Sequence, residues 1–166
     1  MMAITAAQAM WFLPFVLPIC LYVAFTDMAQ MRITNQSVIV LALVFIVLGL
    51  FLMPFEIYLW RLAAMVIVLI VGVIMNAAGA LGAGDAKFLA AAAPFVALGD
   101  LRLLMALFMA TLLAAAVAHK GVKYTPLRNL APHWTSWEQG KKFPMGLALG
   151  PVLAIYLVLG ALYGAR

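Results

Sequence analysis

The chain has 166 residues, of which 69% are hydrophobic and only 9% charged, and its mean hydropathy is +1.18. This composition excludes a soluble domain, because so few charges cannot solvate the surface of a folded chain. Apolar runs of about 20 residues recur and predict a polytopic α-helical membrane protein, whereas the short alternating segments of a membrane β-barrel are not found in the sequence. The net charge of +5 is typical of basic cytoplasmic loops, so membrane lipids rather than nucleic acid are the expected partner of the basic residues.

Six membrane helices are predicted, packed in one all-α bundle that forms a single domain over residues 1–166. The first helix is expected to end at Thr26, before a polar stretch that begins with Asp27, and Asp100 is expected to cap the fifth. The fourth is short enough that it barely crosses the hydrocarbon core. The approximate limits are Gln8–Thr26, Ser37–Met53, Ile57–Ala78, Phe88–Leu98, Leu101–Ala118 and Met145–Leu162.

Several polar and aromatic residues have predicted structural roles. Cys20 is the single cysteine, so no internal disulfide is expected, and no cluster of ligand side chains predicts a metal or another cofactor. Asn76 is expected to hydrogen-bond to a neighbouring helix. His119, Trp134 and Trp137 are interpreted as interfacial residues, although the two tryptophans are also placed where they would guide a substrate. No positive region precedes the first apolar run, which is therefore predicted to remain as a membrane anchor.

The distribution of basic residues predicts the topology. With six crossings and the N-terminus outside, seven of the ten basic residues fall on the cytoplasmic side and three outside, as the positive-inside rule requires. The inner set is Arg32, Lys87, Lys120, Lys123, Arg128, Lys141 and Lys142, and the outer set is Arg61, Arg102 and Arg166. Asp27 and Asp85 then both lie at the cytoplasmic ends of helices.

A carboxylate close to lipid is costly, so the stretch from Gly82 to Lys87 is a candidate functional site. Gly82 and Gly84 allow a tight turn beside Asp85. The structural alternative is that Asp85 caps a helix starting at Ala86, and that Lys87 only extends to the interface.

A second carboxylate on the same side of the membrane favours a catalytic role over a structural one. Asp27 could simply mark a helix end, hydrogen-bonded to water or Arg32. Two aspartates in a poorly solvated site, however, share a proton because both cannot easily ionise. The ionised member can then deprotonate water while the protonated member donates to a peptide carbonyl, which is aspartic proteolysis without a metal.

Three motifs carry a family resemblance. Gly82-Ala83-Gly84-Asp85-Ala86-Lys87 resembles the GxGDxK signature of type IV prepilin peptidases. Asp27 with the later Asn35 is similar to the first aspartate motif of that family, with Thr34 in place of the usual proline. Pro144-Met145-Gly146 is similar to the segment that opens the last helix, with Met145 in place of an aromatic residue.

The resemblance implies that Asp27 and Asp85 are catalytic, with Gly82, Gly84, Lys87, Asn35, Pro144 and Gly146 as supporting motif residues. It also implies a substrate, the basic leader of a prepilin or pseudopilin, cut at the cytoplasmic face of a bacterial inner membrane, commonly after a glycine and directly before the apolar helix of the pilin. The compact form is similar to the peptidases of tight-adherence (Flp) pili. No cysteine-rich N-terminal domain is expected, and N-methylation is therefore not expected either.

Three alternatives remain open at this point. The short chain also resembles archaeal preflagellin peptidases, and the GxGD motif occurs in presenilin-like intramembrane proteases. A small proton-coupled transporter would use the same aspartates to bind a cation, but the sequence shows no internal repeat of the kind found in many transporters.

Overall fold

The computed structural model describes residues 2–139 and 143–165, which form six α-helices and two very short strands. Lys141, Lys142 and Arg166 of the topology prediction lie outside the described residues. The strands and helices are β1 Met2–Thr5, α1 Ala6–Gln30, α2 Asn35–Leu52, α3 Phe55–Ala77, α4 Ala83–Ala92, α5 Leu101–Lys123, α6 Gly146–Tyr163 and β2 Gly164–Ala165. Four short 3-10 segments lie at Ala93–Phe95, Leu98–Asp100, Pro126–Leu130 and Thr135–Trp137.

Five helices are long and apolar enough to cross a membrane, namely α1, α2, α3, α5 and α6. Large apolar side chains cover the outer faces of α2 and α3, where Phe51, Trp60 and Ile74 are among the most exposed. In water such a surface would be unfavourable, but in a bilayer it meets lipid. The predicted all-α polytopic membrane fold is confirmed.

The fourth pass through the bundle is made by α4 and the two 3-10 segments after it, because α4 itself has only ten residues. Asp100, at the end of this pass, accepts hydrogen bonds from the backbone N–H groups of Ala3 and Ile4. The chain has therefore returned to the end of the bundle where α1 begins. Pro94 stops α4 from continuing as a regular α-helix.

Helix α6 is the most buried of the candidate membrane helices and packs most extensively against α1. Glycines four residues apart allow this close approach. A Cβ at Gly146 would lie 2.8 Å from Asp27 Cβ, and one at Gly150 would meet the Cys20 carbonyl oxygen. Small residues at this spacing let two membrane helices pack backbone to backbone.

An aromatic cluster fixes the far end of the α4 pass. The Phe12 and Phe95 rings lie 4.9 Å apart, and the Phe45 and Phe95 rings 5.2 Å apart, both in edge-to-face geometry. All three side chains are fully buried. Because they come from α1, α2 and the segment after α4, they hold these elements in one arrangement.

Four local predictions are corrected. Helix α1 continues past Thr26 to Gln30, because the residues from Asp27 to Gln30 include no glycine or proline that would end a helix. Asn76 bonds the Leu81 carbonyl in the adjoining turn, not a neighbouring helix. Trp137 is buried and stacks on buried His119 rather than lying at a lipid interface.

The fourth correction concerns Asp100, whose backbone occupies the N-cap position of α5 while its side chain does not cap that helix. The carboxylate points instead toward the N-terminal strand and accepts from Tyr156 Oη at 2.9 Å as well. Asp100 accepts from these distant donors rather than from the N–H groups of α5, because the backbone N–H groups and the phenol have few other acceptors.

Candidate active site

Asp27 and Asp85 line the same cleft, which has a volume of about 720 Å³ and lies where α1, α2 and α4 meet. One wall is the turn from α1 into α2, including Arg32 and Asn35, and the facing wall is the turn from Gly79 into α4. The two aspartates are 58 positions apart in sequence, so only tertiary packing, in which α1 and α4 both contact α2 and α6, brings them together.

Asp27 lies in the last turn of α1 and is only 6% exposed. The Gly146 backbone N–H at the start of α6 donates to Asp27 Oδ2 at 2.6 Å. This bond comes from one of the first N–H groups of a helix, which have no partner within the helix and favour a negative charge. Gly146 therefore fixes the position of the carboxylate.

Asp85 lies in the first turn of α4, three residues after the N-cap Gly82. The helix thus begins at Ala83, not at Ala86, and Asp85 is not its N-cap. Its carboxylate folds back over Gly82, where an added Cβ would overlap Asp85 Oδ2. Gly82 is consequently required for the position of this carboxylate.

Ionisation of Asp85 is suppressed at this position, because its pKa is raised from 3.8 to about 6. Loss of solvent through burial is the main cause, and repulsion by the charge of Asp27 is the second, while a hydrogen bond from the Gly82 backbone acts in the opposite direction. The two carboxylates therefore interact electrostatically across the cleft. Their titration belongs to the pair.

The predicted supporting residues divide into two groups. Gly84 allows Ile33 of the α1–α2 turn to approach α4, since an added Cβ would lie 3.2 Å from Ile33 Cβ. Lys87 Nζ donates to Asn35 Oδ1 at 3.1 Å, which joins the start of α4 to the start of α2. Both contacts hold together the two chain segments that carry the aspartates.

The other two predicted supporting residues, Pro144 and Gly146, lie at the start of α6. Pro144 is fully buried and does not line the cleft, whereas Gly146 contacts Asp27 directly. Phe143 and Met145 do line the cleft and were not predicted. Their only signal in the sequence is that they flank the glycine motif.

The turn before α4 is also shaped by specific residues. Gly79 adopts a φ of +74°, which favours glycine, and Asn76 Nδ2 donates to the Leu81 carbonyl at 2.8 Å. On the other wall, Met31 ends α1 in the left-handed conformation with a φ of 51°. Methionine has no preference for this conformation, so the sequence does not predict it.

Chemically, the cleft offers two coupled carboxylates, one fixed by a backbone N–H and one whose ionisation is suppressed. Such a pair can hold one proton and activate a water molecule. Among residues 2–139 and 143–165, no three His, Cys, Asp or Glu side chains are grouped as metal ligands.

Comparison with known proteins identifies a family. Residues 14–119 match the model of the type IV leader peptidase family. The chain belongs to this family. No curated protein and no solved structure matches the chain.

The family match covers both aspartates, because Asp27 and Asp85 fall between residues 14 and 119. It ends before Pro144 and Gly146, so the contact between Gly146 and Asp27 is a contribution of the structure alone. The protein is a peptidase of the leader-peptidase type with several apolar helices long enough to span a membrane.

Proposed function

We propose that Asp27 and Asp85 are the catalytic pair of an aspartic endopeptidase that removes the leader peptide of type IV prepilins or pseudopilins of the tight-adherence (Flp) class. The observation that carries this proposal is their shared cleft, in which the two carboxylates interact and Asp27 is held by the Gly146 backbone. The family supports a leader-peptidase activity in general. The assignment of the catalytic pair and of the substrate class is our proposal.

In the proposed reaction the pair carries one proton. We assign the ionised form to Asp27, whose oxygen accepts the Gly146 N–H, because the charge of Asp27 favours the protonated form of Asp85. Asp27 accepts a proton from water, whose oxygen attacks the carbonyl carbon of the scissile peptide. Asp85 donates its proton to the carbonyl oxygen, which gives a diol. The diol collapses as the leaving amine takes the proton held by Asp27 and a diol hydroxyl returns its proton to Asp85.

The orientation also belongs to the proposal. Helix α5 ends at Lys123 on the same side of the bundle as the cleft, which places Lys120 and Lys123 near the end that carries Arg32 and Lys87. Arg61, by contrast, donates to the Pro94 carbonyl toward the opposite end. A basic cleft end is typical of the cytoplasmic side of a bacterial inner membrane, and we infer that the cleft faces that side.

The decisive experiment compares Asp27→Asn and Asp85→Asn with the wild type, using membranes that contain a Flp-type prepilin. Each change should lower kcat by about 100- to 10,000-fold, because each removes one acid–base group. Glu56→Gln, at an exposed position in the first turn of α3, is the matched control and should leave cleavage unchanged.

The measurement is loss of the leader on a gel, with N-terminal sequencing of the product. Cleavage by either Asp variant at the wild-type rate, with the protein still inserted, would refute the proposed pair. A product cut inside its apolar helix would instead identify a presenilin-like specificity.

A further inference from the structure

A second large cavity lies beside the candidate active site, on the membrane side of it. It has a volume of about 720 Å³ and a lining that is almost entirely apolar, and it runs between α3 and α5. Helix α3 packs mainly on α4, and α5 packs mainly on α6, so α3 and α5 form two walls above a floor made by α4 and α6. We call this cavity the α3–α5 groove.

The floor of the groove continues the floor of the catalytic cleft. On α4, Asp85 lines the cleft, and Leu89 and Ala92, four and seven residues later, line the groove. On α6, Met145 lines the cleft, and Leu149 lies four residues later in the groove. Positions separated by four and seven residues share one helix face. Cleft and groove therefore follow the same faces of both helices.

The dimensions of the groove fit a helix lying lengthwise. It extends along helix α3 from Ile57 to Val68, which corresponds to about 16 Å, or three helical turns, at 1.5 Å per residue. The groove is open along one side, so it would hold one face of such a helix and leave the opposite face exposed to lipid.

The floor is suited to close helix packing. Ala92 and Ala93 leave room at its centre, and Ala64 does the same on the α3 wall. Large side chains such as Trp60 and Met105 form the rims and are 69% and 56% exposed. Small residues at a helix contact allow the partner backbone to approach, which is a main source of helix association in lipid.

The geometry points to the α3–α5 groove as the docking site for the apolar helix of the substrate that directly follows the cleaved peptide bond. This inference rests on the proposed function, since it assumes a substrate whose scissile bond lies at the two aspartates. The first ten or so residues after the cut would then lie in the groove, and the leader would extend the other way, out of the cleft. Docking the helix fixes the register of the scissile bond.

Disulfide trapping can test this placement without relying on catalysis. The probe is a synthetic precursor with a lysine-rich leader, a glycine before the cut and a 20-residue Leu/Ala helix with one cysteine seven residues after the cut. The enzyme carries Asp85→Asn, so the precursor stays intact, together with Met105→Cys or Ala106→Cys. These two positions are neighbours on α5 and are both exposed, but they point about 100° apart around the helix and only Met105 lines the groove.

The Met105→Cys enzyme should form at least about tenfold more disulfide with the precursor, because docking raises the local thiol concentration. The native Cys20 is buried, and an enzyme without an added cysteine measures its background. Equal trapping at the two positions, as expected if lipid fills the groove, would overturn the inference.

A kinetic experiment separates this inference from the proposed function. Ala64→Leu narrows the groove and should raise KM for the helix-bearing precursor by about tenfold, while leaving cleavage of a short soluble peptide across the cut unchanged. Ala110→Leu, at an exposed α5 position outside the groove, is the control for added bulk. If the wild type cleaves neither substrate, the proposed function fails; if it cleaves both and Ala64→Leu changes neither, only the docking inference fails.

Discussion

The two ends of the helical bundle both contain buried aspartate, but they use it differently. At the end where the chain starts, Asp100 accepts hydrogen bonds from the Ala3 and Ile4 backbone and from Tyr156 Oη. Its oxygens are thus occupied by protein donors. At the cleft end, Asp27 has one oxygen held by Gly146, and Asp85 faces the same cavity.

This difference separates a structural carboxylate from a reactive one. Asp100 ties β1 to α6, and β1 also pairs with β2 at the other end of the chain. A carboxylate with this many donors stabilises a fold and has little capacity left for a substrate. Asp27 and Asp85 repel each other across a cleft, which is unfavourable for stability and useful for proton transfer.

After the two aspartates themselves, the largest expected effect comes from adding one methyl group at the cleft end. Gly146→Ala should lower kcat by at least about 100-fold, since even a shift of about 1 Å in a catalytic group has this cost. The new Cβ would lie 2.8 Å from Asp27 Cβ and 3.0 Å from its Oδ2, so the carboxylate must move. Leader cleavage by purified enzyme measures the effect.

Gly121→Ala is the matched control, because a Cβ there meets nothing within 4 Å. It lies in α5 and should keep full activity while slightly favouring the helix. Wild-type activity in Gly146→Ala would show that the Gly146 contact does not position Asp27.

At the opposite end, Asp100→Ala should reduce stability and spare the chemistry. The change leaves the buried Ile4 N–H, the partly buried Ala3 N–H and the Tyr156 hydroxyl without their acceptor, which costs about 3 kcal/mol in the free energy of unfolding. Tyr156→Phe removes the hydrogen bond to Asp100 and also the acceptor of the buried Ala97 N–H, and should cost about 2 kcal/mol.

Thermal unfolding in detergent measures both variants, and activity is normalised to folded protein. Asp100 would not be a purely structural carboxylate if Asp100→Ala unfolds like the wild type. The same conclusion would follow if its folded fraction loses catalysis as Asp27→Asn should.

The pH response should reveal the coupling between the two aspartates. Because repulsion by Asp27 contributes to the raised pKa of Asp85, Asp27→Asn should lower the pKa of Asp85 from about 6, though burial still keeps it above 3.8. The carboxyl stretching band in infrared titration follows this directly. An unchanged titration of Asp85 in Asp27→Asn would contradict electrostatic coupling.

The same pKa predicts how stability changes with pH. Folded Asp85 binds its proton more tightly than the unfolded chain does, so its contribution to stability is fully present below pH 3.8 and is lost as the pH rises through about 6. Asp85→Asn should remove this part of the pH dependence, which a set of unfolding curves between pH 4 and pH 7 would measure.

The smallest effect is expected at the rim of the cleft. Asn35→Ala removes the exposed 3.1 Å hydrogen bond from Lys87 and should change kcat/KM by less than about fivefold, since such a bond contributes about 1 kcal/mol. Gln36→Ala, at the exposed neighbouring position, is the control. A loss as large as that expected for Gly146→Ala would place Lys87 within the catalytic machinery.

Composition and apolar run length were sufficient to predict an all-α membrane bundle, because crossing lipid requires long apolar helices with internally satisfied backbone. The charged residues Asp27 and Asp85 could also be picked out from sequence, since carboxylates near lipid are costly and therefore rare. Their pairing was a prediction from topology, and the shared cleft shows the two in one place.

Only the tertiary structure decided which residues donate hydrogen bonds to the buried aspartates. Gly146 is 119 residues away from Asp27, and Tyr156 is 56 residues away from Asp100, so no local pattern could assign either hydrogen bond. The left-handed Met31 that ends α1 follows no local preference either, since methionine does not favour this conformation. The α3–α5 groove likewise arises only because a ten-residue α4 and its alanines leave space between two longer helices.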